Sequence, residues 1–407
     1  MREFYPVLFA MTAVLLFGMI EIVLLACLNR LWWKRRWVRM TSWSLPLFGF
    51  VMVLIWALGQ YHALTWIALP AAILMIISLL LEIALMISLP FSGALHFLHR
   101  AAERLIHTRR QRDPSLVDTN RRAFLKVTAA SLPVSAAALS VTGVARAFAD
   151  VNVFKKPILF DDLPLSLQGL RIFHLTDLHL AHFVALDSLS EVLAVADSLS
   201  PDLVVVTGDI ADDLTLLNDA LSMINNLQPP HGVYACLGNH EHFRGLAKVR
   251  RSFERSPVQL LTDQSITIDV DGCSLLVSGI DDPVRLDAAD YAFFRQHIDM
   301  ALTDVGNFDF SVLMSHRPVA LEYASEVGVN LTLAGHTHGG QIGFMGRSLL
   351  EWAWPDHYLW GHYRIGASHL YTSSGAGHWF PFRLGCPREA PVIELRSRVK
   401  SPDRSNY

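Results

Sequence analysis

Five short motifs carry side chains of the types that bind metals and move protons. They are Asp177-Leu178-His179, Gly208-Asp209, Gly238-Asn239-His240, Ser315-His316 and Gly335-His336-Thr337-His338-Gly339. Each has a plainer reading alone: an Asp-x-His is a turn or a surface pair, a Gly-Asp a turn, an Asn-His a capped loop. Together they offer Asp177, Asp209, Asn239, His179, His316, His336 and His338, with His240 to spare. This mixture of hard oxygen and borderline nitrogen donors suits manganese, iron or zinc better than calcium. The donors outnumber what one tetrahedral ion takes, and two divalent ions sharing a bridging carboxylate would use them all.

The elements that must position these residues are apolar runs of strand character directly before each motif, at 170–175, 203–206, 233–237, 310–314 and 331–333. Helical patterns at 186–197 and 214–226 stand between some of them. The alternation predicts an α/β domain, with its ligands at the carboxyl edge of the strands, where loops converge on a rigid support. Further runs at 265–280, 370–373 and 392–395 have an antiparallel character.

The rest of the chain is of another kind. Hydrophobic residues make up 52% of the 407 residues and charged ones 17%. The mean hydropathy is +0.33, high for a wholly soluble enzyme. Apolar runs at 6–27, 45–61 and 66–89 are long enough to cross a bilayer as helices. Arg30, Lys34, Arg35, Arg36 and Arg39 follow the first run, and Arg100, Arg104, Arg109, Arg110 and Arg112 follow the third. Positive loops stay in the cytoplasm, which places the N-terminus outside. Glu21 and Glu82 fall within the spans as a functional pair or as a hydrogen-bonded one, and no chemistry is assigned to them.

Asn120-Arg121-Arg122-Ala123-Phe124-Leu125-Lys126, ahead of an Ala/Ser/Thr-rich run, resembles a bacterial twin-arginine export signal placed internally. The alternative is a fourth span with basic flanks. Either way the chain beyond it lies outside the cytoplasm. The expected organisation is three transmembrane helices over 1–98, a basic cytoplasmic linker with the signal or fourth span over 99–149, and the catalytic domain over 150–407. With a net charge of −3 and no basic run interleaved with aromatics, nothing argues for nucleic acid as a partner and none is expected. Of the four cysteines Cys27 lies in a lipid-like run, and the remaining three are expected as buried free thiols.

Residues 155–397 resemble the calcineurin-like metallophosphoesterase superfamily, in particular its membrane-anchored bacterial branch. The five motifs carry the resemblance, with Leu163-Pro164-Leu165, Gly169-Leu170-Arg171-Ile172, Gly279-Ile280-Asp281-Asp282-Pro283, Ser374-Gly375-Ala376-Gly377 and Pro381-Phe382-Arg383-Leu384 beside them. The resemblance implies a four-layer αββα sandwich with both ions at the sheet edge; with the all-α transmembrane region and the basic loops read above, the expected location is a bacterial inner membrane with the catalytic domain facing the periplasm or exterior. By motif it implies that Asp177, His179 and His338 hold one ion, that Asn239, His316 and His336 hold the other, and that Asp209 bridges them. Two such ions about 3.5–4 Å apart acidify a shared water and clamp phosphoryl oxygens.

In the family the residue matching His240 faces the substrate, a role that suits imidazole because it titrates near neutral pH. Asp212 is then expected to hold the ring, the alternative being a solvated acidic turn with Asp213. Gly339, Gly340 and Gln341 are expected to let the backbone pass near the ions, and His182, His242, His357, His362 and His378 to be supporting or surface residues. Trp352, Trp354, Trp360, Trp379 and Phe380 either pack beneath their loops, the favoured reading, or dip into a bilayer interface. The implied activity is hydrolysis of phosphomonoesters, phosphodiesters or pyrophosphates, lipid-linked ones among them. The competing readings are a protein phosphatase and a membrane sensor or scaffold built on an inert metal-binding domain.

Overall fold

The computed structural model describes residues 5–62, 64–110, 119–181, 183–284, 291–354, 357–378 and 380–398. Two compact units divide the chain, Met1–Ala145 and Arg146–Tyr407. Arg112, His182 and Trp379 lie outside the described residues.

The first unit contains helices α1 (Tyr5–Cys27), α2 (Arg30–Trp33), α3 (Arg36–Tyr61) and α4 (Thr65–Arg110), and most of α5 (Thr119–Ala147). Among the described residues 3 helices are long and apolar enough to cross a membrane, over Val7–Cys27, Arg36–Gly59 and Trp66–Leu95. The second begins earlier than the apolar run suggests, because nothing between Arg36 and Leu45 breaks a helix. Arg36 and Arg39 therefore lie within α3 and not in a loop. Helix α4 likewise continues through Arg100, Arg104, Arg109 and Arg110. Close packing rests on small residues, as membrane helix interfaces require: a Cβ on Gly49 would fall 2.7 Å from Ser78 Oγ in α4 and 2.9 Å from Val14 Cγ1 in α1. Glu21 and Glu82 are buried in this unit.

The second unit carries strands β1 (Asn152–Phe160), β2 (Arg171–Leu175), β3 (Leu203–Thr207), β4 (Val233–Cys236), β5 (Gln259–Leu260), β6 (Gln264–Val270), β7 (Cys273–Gly279), β8 (Phe310–Met314), β9 (Leu331–Ala334), β10 (Gly343–Phe344), β11 (Arg347–Ser348), β12 (Gly361–Ile365), β13 (Ser368–Thr372) and β14 (Glu389–Ser397). One sheet has the order β1-β14-β2-β3-β4-β5 and the other β12-β13-β9-β8-β7-β6. Helices α6 (Leu186–Ser198), α7 (Leu217–Asn225) and α8 (Asn239–Glu254) accompany the first sheet, and α9 (Tyr291–Ala301) and α10 (Leu321–Glu326) the second.

The alternation of side chains along each strand makes the layers. In β3, Val204 and Val206 join the cluster under α6 and α7, while Leu203 and Val205 point the other way. There they meet Leu275 and Val277 of β7, Phe310 and Val312 of β8 and Leu331 of β9. Leu313 of β8 turns outward to Phe294 and Ile298 of α9. The result is the expected αββα sandwich, with a dry core between two sheets buried on both faces. Strands β2, β3 and β4 are mutually parallel, as are β7, β8 and β9. The antiparallel character at 265–280 is the β6–β7 pair.

Candidate metal centre

All five motifs follow the carboxyl ends of parallel strands, three from one sheet and two from the other. The turns that leave these strands are sharp. Asp177, His179, Asp209, His336 and His338 all have positive φ, between 47° and 69°, a region costly for residues with a Cβ. Gly238 and Gly335 lie tightly against the two carboxylate donors. A Cβ on Gly335 would lie 2.1 Å from Asp177 Oδ2, and one on Gly238 2.3 Å from Asp209 Oδ1.

These turns bring the donors into one buried cluster. His179 Nε2 and His338 Nε2 stand 3.1 Å apart, and Asp177 Oδ1 lies 3.4 Å from His338 Nε2 and 3.8 Å from His179 Nε2. Asn239 Oδ1 lies 3.1 Å from both His316 Nε2 and His336 Nδ1. Asp209 Oδ2 faces both groups, 3.6 Å from His179 Nε2 and 3.2 Å from His316 Nε2. Asp177-His179-His338, His179-Asp209-His240 and Asp177-Asp209-His316 are each close enough to close on a cation.

The hydrogen bonds behind the ring of His316 fit that use. Its Nδ1 donates to the carbonyl of Thr207 at 2.7 Å, which leaves Nε2 as the ring atom that faces Asp209 and Asn239 and the one free to exchange a proton for a cation. His338 differs. Arg383 Nη2 lies 3.0 Å from His338 Nδ1, and a guanidinium only donates, so ligation through Nε2 would need Nδ1 to take the proton and Arg383 to rest on its other acceptors, the carbonyls of His338, Ser374 and Gly377.

Charge is concentrated here. Burial works against ionised Asp177, yet His338, His179 and His316 outweigh it and hold the carboxyl well below its usual range. Burial alone would lower His179 and His316, but Asp177 and Asp212 beside the first and Asp209 beside the second push both up to about 10. His336 is lowered by burial and by His316 to about 3. Two neutral imidazoles, His336 and His338, and two charged ones, His179 and His316, thus gather around the ionised Asp177 and Asp209, and a bound cation would take the place of the protons on His179 and His316.

His240 sits at the opening, its side chain 16% exposed against 1% for His179. Its Nδ1 lies 2.5 Å from Asp212 Oδ1, and Asp212 Oδ2 lies 3.3 Å from His179 Nδ1. Arg244 Nε donates to the same Asp212 Oδ1 at 3.1 Å. Asp213 is the turn residue of the pair and caps Thr215. A cavity of about 460 Å³ opens beside Asp212, with Thr215, Arg244 and Lys248 on its walls.

Several contributors escape a reading of the sequence. Glu241 is buried, and its carboxylate accepts from the backbone N–H groups of Asp209, Ile210 and Gly238 at 2.8–2.9 Å, pinning two site loops to the start of α8. Its position three residues into the helix, after Gly238, is a capping signal that could have revealed it. Arg383 lies in the Pro381–Leu384 stretch that carries the resemblance, but it is far from His338 in sequence and no local pattern there assigns it this contact. Asp282 holds Arg317, next to His316, through bonds of 2.8 and 3.3 Å, and Asp281 accepts from His242 at 2.7 Å. Gly339 approaches Cys386 and Trp360, and Gly340 approaches Leu350 and Ser348, so these glycines serve packing. His362 pairs with His369, His357 is exposed and His378 is buried.

The family profile for calcineurin-like phosphoesterases matches residues 170–340. The chain is similar to an uncharacterized metallophosphoesterase of Aquifex aeolicus, 30% identical over 252 residues that cover 61% of this chain and 93% of that one. An uncharacterized metallophosphoesterase of Campylobacter jejuni is 29% identical over 242 residues, 58% of this chain and 62% of its own length, so the match spans under two thirds of that relative. A transmembrane protein with a metallophosphoesterase domain from Danio rerio is 26% identical over 298 residues, 69% of this chain and 67% of that one.

Proposed function

The chain belongs to the calcineurin-like metallophosphoesterases and is a metal-dependent phosphoester hydrolase, and from that premise we propose a dinuclear centre working at a membrane face outside the cytoplasm. Asp177, His179 and His338 would hold one divalent ion, Asn239, His316 and His336 would hold the other, and Asp209 would serve both. The observation that carries this reading is the position of Asp209 Oδ2, 3.6 Å from one group's His179 and 3.2 Å from the other's His316. Manganese, iron and zinc all suit the donors.

When bound, two such ions acidify a water and neutralise the phosphoryl oxygens. The chain's own groups do the rest. His316 is fixed by Thr207, and Asp177 is fixed by the backbone N–H of His336, 2.9 Å from Oδ2. His240, held at Nδ1 by Asp212, presents Nε2 to the substrate and, in its doubly protonated form, passes the Nε2 proton to the leaving oxygen, leaving the ring neutral with its proton on Nδ1. Burial of the donors keeps bulk water from competing for them.

The basic residues after the first and third spans are cytoplasmic in this reading, and the segment through α5 carries the catalytic unit outward in a bacterial inner membrane. That placement makes phosphoesters or pyrophosphates on lipid carriers the favoured substrates. The test uses full-length protein in lipid nanodiscs, with a soluble phosphomonoester, a soluble phosphodiester and a polyprenyl pyrophosphate, before and after chelation. Turnover abolished by chelator, restored by Mn²⁺ and greatest on the lipid supports the reading. Metal-loaded protein that hydrolyses none of the three contradicts it. Protease added to intact spheroplasts cleaves the catalytic unit if it faces outward and leaves it whole if it does not.

A further inference from the structure

The turn after His338 leads into a hairpin with an unusual surface. Strands β10 and β11 pair Gly343 with Ser348 and Phe344 with Arg347, leaving Met345 and Gly346 as a two-residue turn. Both have positive φ, 50° and 78°. Such turns favour Asn, Asp or Gly at their first position. Here a methionine occupies it and is 87% exposed.

The neighbours are of the same kind. Phe344 is 66% exposed, Leu349 49%, Trp352 85% and Trp354 51%. The favoured reading of the sequence, tryptophans packed beneath the loop, therefore fails for Trp352 and Trp354, although Trp360 is buried. The only charges between Gly343 and Trp354 are Arg347 and Glu351, which pair at 3.0 Å. An apolar patch that spends local conformational energy to expose a methionine, and cancels its own charge, is built to be covered.

The occupant is indicated by the same chain. Among the described residues three helices are long and apolar enough to cross a bilayer, so the catalytic unit is carried on the same chain as the candidate spans. Tryptophan favours the headgroup level of a bilayer, where its ring has an apolar body and a polar edge to place. We propose that the 343–354 hairpin is a bilayer-docking element that inserts Phe344, Met345, Trp352 and Trp354 into the lipid interface beside the metal centre. Leu350 and Ser348 lie against Gly340, two residues from His338, so docking brings the site to the height of lipid phosphates. This docking deepens the lipid-linked substrate reading above but is tested without it.

The full chain is labelled with an environment-sensitive fluorophore at Met345→Cys in a Cys27→Ser background, and reconstituted into phosphatidylethanolamine–phosphatidylglycerol vesicles. The same label at Leu165→Cys is the control, since Leu165 is 90% exposed and precedes the amino-terminal end of β2. Insertion shifts the Met345 probe to the blue and lets nitroxides on lipid acyl chains quench it, while the Leu165 probe stays unquenched. Equal, water-like behaviour of both probes overturns the proposal. In a second arm, Trp352→Ser/Trp354→Ser is expected to keep turnover of a soluble diester and lose it on a phosphoester borne by vesicles. Equal loss on both substrates would mark the tryptophans as structural and also overturn it. A chain that hydrolyses no ester refutes the hydrolase reading while the depth measurement still decides docking.

Discussion

Asp212 holds the His240 ring: its Oδ1 lies 2.5 Å from His240 Nδ1, while the ring's Nε2 is turned to within 4.0 Å of Asp209 Oδ2. A carboxylate only accepts, so the contact fixes a proton on Nδ1 and turns Nε2 to the side of Asp209, the proposed shared ligand. Burial opposes the ionised form of Asp212, yet His179 and His240 together hold its carboxyl far below the usual range.

Removing that charge while keeping the shape isolates the positioning effect. Asp212→Asn is expected to lower kcat on a soluble phosphodiester by about 10–100-fold, with a much smaller change in KM. Asp213→Asn, a change to the adjacent turn acid that caps Thr215, is expected to leave kcat near the wild-type value. Equal effects of the two, read from steady-state kinetics, would return Asp212 to the status of a solvated acid.

Glu241 accepts three backbone N–H groups with two carboxylate oxygens. Glu241→Gln replaces one acceptor by a donor that faces those N–H groups. The expected cost is about 1–3 kcal/mol for each buried donor left unpaired. A lower melting transition together with lower metal occupancy is the expected result, and unchanged occupancy would show that the Asp209 loop holds its shape without this clamp.

Metal binding should release protons. Burial lowers His179 and His316, the nearby carboxylates more than reverse it, and both are held up to about 10 in the absence of a cation. His336 and His338 are already neutral near pH 7 because burial depresses them. A ligating imidazole must be deprotonated, so apparent affinity rises with pH until His179 and His316 lose their protons unaided, and falls on acidification. Titration calorimetry of Zn²⁺ or Mn²⁺ binding in buffers of different ionisation enthalpy reads this release directly. Heats independent of the buffer would contradict it.

At Gly335 the space itself is the constraint. Gly335→Ala places a Cβ 2.1 Å from Asp177 Oδ2 and 2.2 Å from Thr176 Oγ1, so the carboxylate must move. Loss of metal and of turnover, with the far-edge β6–β7 pair retaining its amide-exchange protection, is the expected result. Wild-type metal content would show that Asp177 is not constrained as described.

The strands and the donors were legible in the sequence because both are written locally. Val204 and Val206 alternate with Leu203 and Val205, and the polar motif begins where the run ends. Long-range partners were not legible. Arg383 reaches His338 across the fold, and β1 is placed by pairing with β14 at the other end of the domain. Exposure was not legible either: Trp352 and Trp360 are the same residue type in one stretch, yet one is 85% and the other 6% exposed. That difference depends on the hairpin and on Glu389, which accepts from Trp360 Nε1 at 3.1 Å.

The most direct test concerns Asp209. Full-length protein and its Asp209→Asn variant, purified in nanodiscs and loaded with Mn²⁺, are compared for metal content by elemental analysis and for turnover of a chromogenic phosphodiester. A shared bridging carboxylate requires two ions per wild-type chain with metal-dependent turnover, and a variant that loses at least one ion and nearly all activity. A variant that keeps both ions and full turnover, or a wild-type chain saturated by a single ion, would contradict a two-metal centre built on Asp209.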